Sequence, residues 1–286
     1  MSGPSSLRFP DGRLHLQHGP IDCIVEAWGD AGEIEAAYAQ AIARFADILD
    51  VLVEELEILR SPVSAAYPLA RGLVAKRMIA AVWPHRAHFI TPMAAVAGAV
   101  ADELLGAMLH GRRLDKTYVN DGGDIALHLA GREVFDVGIA SDLRTAAVPG
   151  GLRVRATDTV RGVATSGWQG RSQSLGIADA VTVLASDAAA ADAAATMIAN
   201  AVNVDHPAIR RLPAREVKED SDLGGLPVTV GVGDLPQAAV DAALGAGEHA
   251  ALALRARGLI AGACLSLKGR MIVVQHRSSA GVTAQC

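Results

Sequence analysis

Apolar residues recur at Ile34, Tyr38, Ile42, Phe45, Leu49, Leu52, Leu56 and Leu59, in steps of three and four. That spacing predicts one long amphipathic helix over residues 33–59, stopped by Ser61–Pro62. Its acidic run, Asp50, Glu54, Glu55 and Glu57, reads as a solvated face. A second helix is predicted over 69–82 and closed by Pro84. Thr91–Pro92 then supplies an N-cap and a proline at the first helical position. The helix that follows, MAAVAGAVADELLGAML, is made almost entirely of small residues. Such a surface lets another backbone approach closely, which places this helix in the middle of the fold.

Short alternating or apolar runs surround these helices. Residues 8–9, 13–17 and 21–28, joined by tight turns such as Pro10–Asp11–Gly12, read as edge strands, with residues 1–6 frayed. Further strands are predicted at 116–120, 125–129, 134–140, 151–156 and 160–165. Their Gly- and Asp-rich connections are short enough for antiparallel pairing. Residues 180–185 form an apolar strand, Ser186–Asp187 a polar break, and 188–201 a helix in which nine of fourteen residues are alanine. Ser186 reads as its N-cap, and Asp187 suits the positive end of its dipole. Residues 207–213 and 215–222 read as irregular loop. A strand at 228–232, a helix over 236–257 and a hairpin, 260–267 with 271–275 around Lys268–Gly269, complete the chain. The pattern is α+β, a mostly antiparallel or mixed sheet packed with helices, in one domain or two closely packed lobes.

Composition narrows the function classes. The 286 residues are 51% hydrophobic but only 3% aromatic, so the core is built from Ala, Val, Leu and Ile. A net charge of −5 with interspersed signs argues against a nucleic-acid groove and a polybasic membrane anchor. Cys23, Cys264 and Cys286 are far apart and lack zinc spacing, which fits a reducing compartment. The N-terminal residues carry no apolar signal core, and the expectation is a cytoplasmic protein. The small-residue helix leaves homo-oligomerisation open.

Four stretches carry chemistry. Asp192 and Thr196 are four apart on the Ala-rich helix, a carboxylate and a hydroxyl one turn from each other. Together they form a hard-oxygen pair suited to Mg2+ that keeps waters and phosphates as further ligands. The plainer reading is a solvated Asp192 and a Thr196 bonded back to the carbonyl of residue 192. The turn in YVNDGGDIALH exposes the backbone N–H groups of Gly122 and Gly123, ringed by Asn120, Asp121 and Asp124; its plainer reading is an ordinary hairpin. In VATSGWQGRSQS, Thr165, Ser166 and Gly167 can wrap an anion, and Trp168 can stack on a flat ring or cap a core. His85 and His88, with Arg86, can hold an anion or move a proton, or simply sit at the surface. There is no HExxH, P-loop, GxGxxG or GxSxG motif.

In this order the stretches resemble the ApbE superfamily, flavin transferases that move FMN from FAD onto a target protein, and within it a cytoplasmic branch. TPMAAVAGAVAD at 91–102 resembles the DLGGIAKGYAVD-type helix, with Gly98 and Asp102 at matching spacing. YVNDGGDI resembles VNAGGDI, Thr165–Gly167 resembles TSG, and residues 181–196 resemble a strand followed by ADALAT. The resemblance implies an ApbE-like, T-fold-related architecture. It also implies Mg2+ held by the Asp192 and Thr196 side chains and by a backbone carbonyl at Val96. A phosphorylated ligand, FAD by implication, would then lie against Asn120, Gly122, Gly123 and Asp124, with Thr165, Ser166 and Gly167 close by. Two departures stand out: Ala97 replaces the family lysine, and the HxxDP segment after TSG is missing. The usual basic group and acid/base pair are thus absent, which separates ligand binding from flavin transfer. His88 and Asp124 are the remaining candidates for proton transfer. The alternatives are a hydrolase or lyase that uses His85 or His88 on a small anionic substrate, and a ligand-binding protein without chemistry.

Overall fold

A computed structural model describes residues 3–139 and 150–275; His276, Cys286 and the expected strand end at Ala140 lie outside them. In chain order the elements begin with β1 (Ser5–Arg8), β2 (Leu14–His18) and β3 (Ile21–Gly29). Helices α1 (Ala31–Phe45), α2 (Ile48–Glu54), α3 (Leu56–Leu59), α4 (Leu73–Val82) and α5 (Val96–Leu109) follow. Next come β4 (Leu114–Asp121), β5 (Asp124–Leu129), β6 (Val134–Ile139), β7 (Gly150–Arg155), β8 (Gly162–Ser166), β9 (Ala180–Ala185) and α6 (Ala188–Ala201). The chain continues through β10 (Ile209–Pro213), α7 (Ala214–Val217), β11 (Pro227–Val232), α8 (Gln237–Ala256), β12 (Gly262–Leu267) and β13 (Arg270–Val274). The fold class is α+β with antiparallel pairing throughout the described registers.

The chain divides into two compact units. The first takes Met1–Phe135, Val154–Ala164 and Ala185–Ala193; the second takes Asp136–Arg153, Thr165–Leu184 and Ala194–Cys286. In the first unit β1, β2, β3, β4 and β5 pair in sequence order, and β5 pairs with β8 through Ile125–Val163 and Ala126–Gly162. Alternate residues of this sheet, among them Leu16, Cys23, Val25 and Val119, are buried against Tyr38, Phe45, Leu104 and Met108. The small-residue helix α5 is central, as its composition implies: Gly98, Ala99, Val100, Ala101, Leu104, Leu105 and Met108 are all buried. Residues Pro92–Leu109 are long and apolar enough to cross a membrane by composition, but more than half of that stretch is buried inside the protein.

Local expectations fail where side chains intervene. Residues 33–59 form α1, α2 and α3 rather than one helix. The apolar spacing survives across the break because Phe45, Ile48, Leu49 and Leu52 all reach the core. At the break, Arg44 reaches both Asp47 (2.5 Å) and the buried Glu103 on α5 (2.9 Å). Glu55 ends α2 and turns its carboxylate to the N–H groups of Arg71 (2.5 Å) and Gly72 (2.9 Å), which starts α4 at Leu73 instead of residue 69. Ser5 and Ser6, expected to be frayed, pair with Gln17 and Leu16. β3 lies between β2 and β4, so it is not an edge strand.

In the second unit β9 pairs with β12 and β12 with β13. The stretch expected to be loop contains β10, which pairs with β11, and the short helix α7. β10, IRRLP, sets two adjacent arginines between Ile209 and Leu212 and so lacks a period-two pattern, and only its pairing with β11 defines it. Gly247 of α8 lies against Val202 and Leu265, seating that helix on β12.

Candidate functional site

The start of α6 is held in a tight backbone setting within the first unit. A Cβ on Gly98 of α5 would lie 2.3 Å from the carbonyl oxygen of Ala188, and one on Gly162 would lie 2.0 Å from that of Asp187. Only glycine permits either approach. The N-cap role predicted for Ser186 belongs to Asp187, whose Oδ1 accepts the Ala190 N–H at 2.8 Å while Ser186 donates to Oδ2. A carboxylate is the better acceptor at a positive helix end.

The helices α5 and α6 then cap each other. Asp102, six residues into α5, accepts the N–H groups of Ala188 (3.0 Å) and Ala189 (2.9 Å) at the start of α6. Asp192, from the second turn of α6, accepts the Gly98 N–H (3.2 Å) and bonds that of Ala97 at the start of α5. Asp102 and Asp187 together satisfy three of the N–H groups that a helix start leaves without an intrahelical partner. Burial nevertheless pushes Asp102 up to about 6.

Asp192 is therefore not simply solvated. It keeps partial solvent access, yet the protein packed around its carboxyl pushes its pKa well above the usual carboxylate range. The negative charges of Asp124 and Asp121 push it further, and the N–H groups of Gly98 and Ala97 only partly offset this. Asp124 thus shares an electrostatic environment with Asp192. Asp121 joins them; its signal in the sequence was its place in the polar ring of the turn.

The double-glycine bend is a two-residue hairpin loop closed by the Asp121–Asp124 pair. Gly122 (φ 64°) and Gly123 (φ 114°) both occupy the left-handed region that such a turn demands. Asn120 has a positioning task there, since its Oδ1 accepts the Gly123 N–H at 2.8 Å. Nothing lies within 4 Å of a Cβ built on Gly123, so the space beside it is open.

The remaining predicted residues are placed as follows. Val96 is the first residue of α5. Thr196 lies one turn beyond Asp192 on α6 and is partly exposed. His85 is buried in the turn after α4, and His88 is exposed on the same turn. In the second unit Thr165 shares a 2.9 Å hydrogen bond with Thr182, Ser166 ends β8, and Gly167 packs against the carbonyl oxygens of Asp179 and Ala178. Trp168 donates its indole N–H to Asp179 at 3.3 Å.

Among the described residues no three His, Cys, Asp or Glu side chains stand close enough to hold a metal ion by themselves. A cation at Asp192 would need hydroxyl, carbonyl, water or phosphate oxygens as its other ligands. That donor set is the one Mg2+ prefers, and the charge Asp192 shares with Asp121 and Asp124 favours it. The residues present fit such an ion.

The sequence pattern of the family described as AbpE bacteria matches residues 6–273. A UPF0280 protein of Methanothrix thermoacetophila is 41% identical over 120 residues, 41% of this chain and 48% of that protein. A UPF0280 protein of Methanopyrus kandleri is 38% identical over 169 residues, 58% and 61% of the two chains. The chain spans about half the length of the curated relatives it matches. Among solved structures, the flavin transferase ApbE from Vibrio cholerae aligns over 96% of this chain and 98% of its own, at 10% identity and a TM-score of 0.46.

Proposed function

Because the chain belongs to the family described as AbpE bacteria, we propose that it binds a phosphorylated ligand, FAD in the first instance, through Mg2+ held at Asp192. The reading is that of an ApbE-like, transferase-type protein. One observation carries it: Asp192 is pushed toward protonation by burial and by the charges of Asp124 and Asp121, although backbone N–H groups favour its ionised form. A divalent cation relieves that repulsion.

Asp192 would supply one carboxylate oxygen, since two N–H bonds leave it further lone pairs. The Thr196 hydroxyl and the Val96 carbonyl would add oxygens from α6 and α5. Mg2+ bound there would neutralise charge on a pyrophosphate and draw its oxygens into one orientation. The N–H groups of the Gly122–Gly123 bend, fixed by Asn120, would bind phosphate or ring oxygens beside an open space that no side chain fills. Asp124 would hold or accept a proton at its carboxylate, close in charge to Asp192.

The test is calorimetric titration of FAD with Mg2+ and with EDTA, on the native protein and on Asp192→Asn. Binding that needs Mg2+ and disappears in the variant supports the proposal. Metal-independent binding, or an unaffected variant, removes it.

A further inference from the structure

The second unit contains a recess of about 460 Å³ lined by Trp168, Gln169, Val232 and Lys268. It lies within the size range of small-molecule sites. Two of its four walls are held by one buried residue. Asp179, 9% exposed, accepts the Trp168 indole N–H on Oδ1 (3.3 Å) and the Lys268 backbone N–H on Oδ2 (2.6 Å). The Trp168 backbone is fixed as well, its N–H bonded to the Ala178 carbonyl at 3.0 Å. Gly167 makes this possible, because a Cβ there would lie 2.6 Å from the Asp179 carbonyl oxygen. The indole is thus anchored at its edge while the residue stays partly exposed.

Lys268 is unusual for its place. It is the one non-glycine residue with positive φ (49°) among the described residues, followed by Gly269 at 76°. A two-residue hairpin turn of this kind favours Gly, Asn or Asp at that position. Lysine in a disfavoured conformation at the rim of a recess is a sign of a functional constraint. Its Nζ donates to the Val232 carbonyl at 2.9 Å, which fixes the ammonium at the recess and leaves two N–H groups for a ligand.

We propose that this recess binds a small planar aromatic anion, with its ring on the Trp168 indole and its negative group on the Lys268 ammonium. Asp179 acts as a positioning residue for both. An aromatic face supplies area and stacking, and a single ammonium selects charge without demanding a bidentate geometry. The side-chain amide of Gln169 can donate to or accept from polar atoms on the ring edge. The four residues lining the recess belong to the second unit, and the Asp192 carboxylate to the first.

AMP is a suitable probe because it joins a flat ring to a phosphate. It is titrated in EDTA against a Trp28→Phe, Trp83→Phe background, in which Trp168 is the remaining tryptophan. A saturable change in indole fluorescence is expected, with adenosine and inorganic phosphate each about tenfold or more weaker. Lys268→Gly removes the ammonium and suits the turn, so it folds and loses AMP affinity by about tenfold. Calorimetry with Trp168→Leu gives a comparable loss. The proposal is overturned by no saturable response at millimolar AMP, by adenosine or phosphate binding as tightly as AMP, or by Lys268→Gly binding AMP like its parent. EDTA keeps the outcome independent of Mg2+ at Asp192.

Discussion

Asp102 and Asp192 each cap the helix that carries the other. Asp102 rises from α5 to accept N–H groups of Ala188 and Ala189, and Asp192 descends from α6 to accept that of Gly98. The two helix starts are thereby fixed to one another by charge-assisted bonds, with Gly98 as the point of closest backbone approach. Any ligand chemistry at Asp192 is built on this mutual arrangement.

Gly98→Ala tests the close approach. Its methyl would meet the Ala188 carbonyl at 2.3 Å, and overpacking of this kind costs about 1–3 kcal/mol. Gly106→Ala on the same helix is the control, since its nearest neighbour is the Arg77 guanidinium at 3.9 Å. That substitution should stabilise by about 0.5–1 kcal/mol through helix propensity. Urea denaturation of both variants measures the contrast, and equal effects would refute the close-packing account.

Asp102 sets a pH dependence of stability. Its folded pKa, about 6, lies above the ordinary aspartate value because burial outweighs its two N–H bonds. A carboxyl raised on folding contributes stability that is complete below the unfolded pKa and lost as pH rises through the folded one. Two pKa units correspond to about 3 kcal/mol at most. The stability of the native protein relative to Asp102→Asn should therefore decline between pH 4 and 6, by up to about that amount. Denaturation midpoints across this range decide it; parallel curves would show that Asp102 does not titrate there.

Without a cation, the charge on Asp192 destabilises the fold. Asp192→Asn keeps an acceptor for the Gly98 N–H, so in EDTA it should melt at or above the native temperature. Adding Mg2+ with FAD should then raise the melting temperature of the native protein alone. At a ligand concentration one hundred times Kd the stabilisation is about 2.7 kcal/mol. Thermal scans of the two proteins, each with and without Mg2+, provide the comparison.

Glu103 ties α5 to the end of α1. Its Oε1 accepts from Arg44 at 2.9 Å and its Oε2 from Arg77 at 3.0 Å, with the side chain 8% exposed. Burial pushes its pKa up, but the two guanidinium groups prevail and hold it below the usual glutamate value. Glu103→Gln removes the buried counter-charge that Arg44, still paired with Asp47, shares with the half-exposed Arg77, and should cost about 2 kcal/mol. Chemical denaturation at neutral pH measures the loss, and a change under half that size would mean that solvent screens the network.

Elements with strong local signals were legible in the chain itself. The nine alanines of α6 and the apolar run of β9 set bounds of 188–201 and 180–185 that coincide with the structure. Strands β4 and β5 around Gly122–Gly123 were readable because a Gly-Gly pair fits two consecutive positive-φ positions without steric cost. The break of residues 33–59 was not legible, since apolar spacing continues unbroken through Asp47. Likewise β10 is defined by pairing with β11 rather than by its own alternation.

The same division holds for the candidate site. Periodicity alone set Asp192 one turn from Thr196, and residue type alone marked the double-glycine bend. Tertiary structure decided that Asp192 caps α5, that Asp121 and Asp124 share its electrostatic environment, and that Asp102 returns the cap to α6. These contacts join residues about ninety positions apart, where no local spacing rule reaches. Helix and turn preferences act over a few neighbouring residues. Desolvation and capping between helices depend on what the folded chain brings alongside.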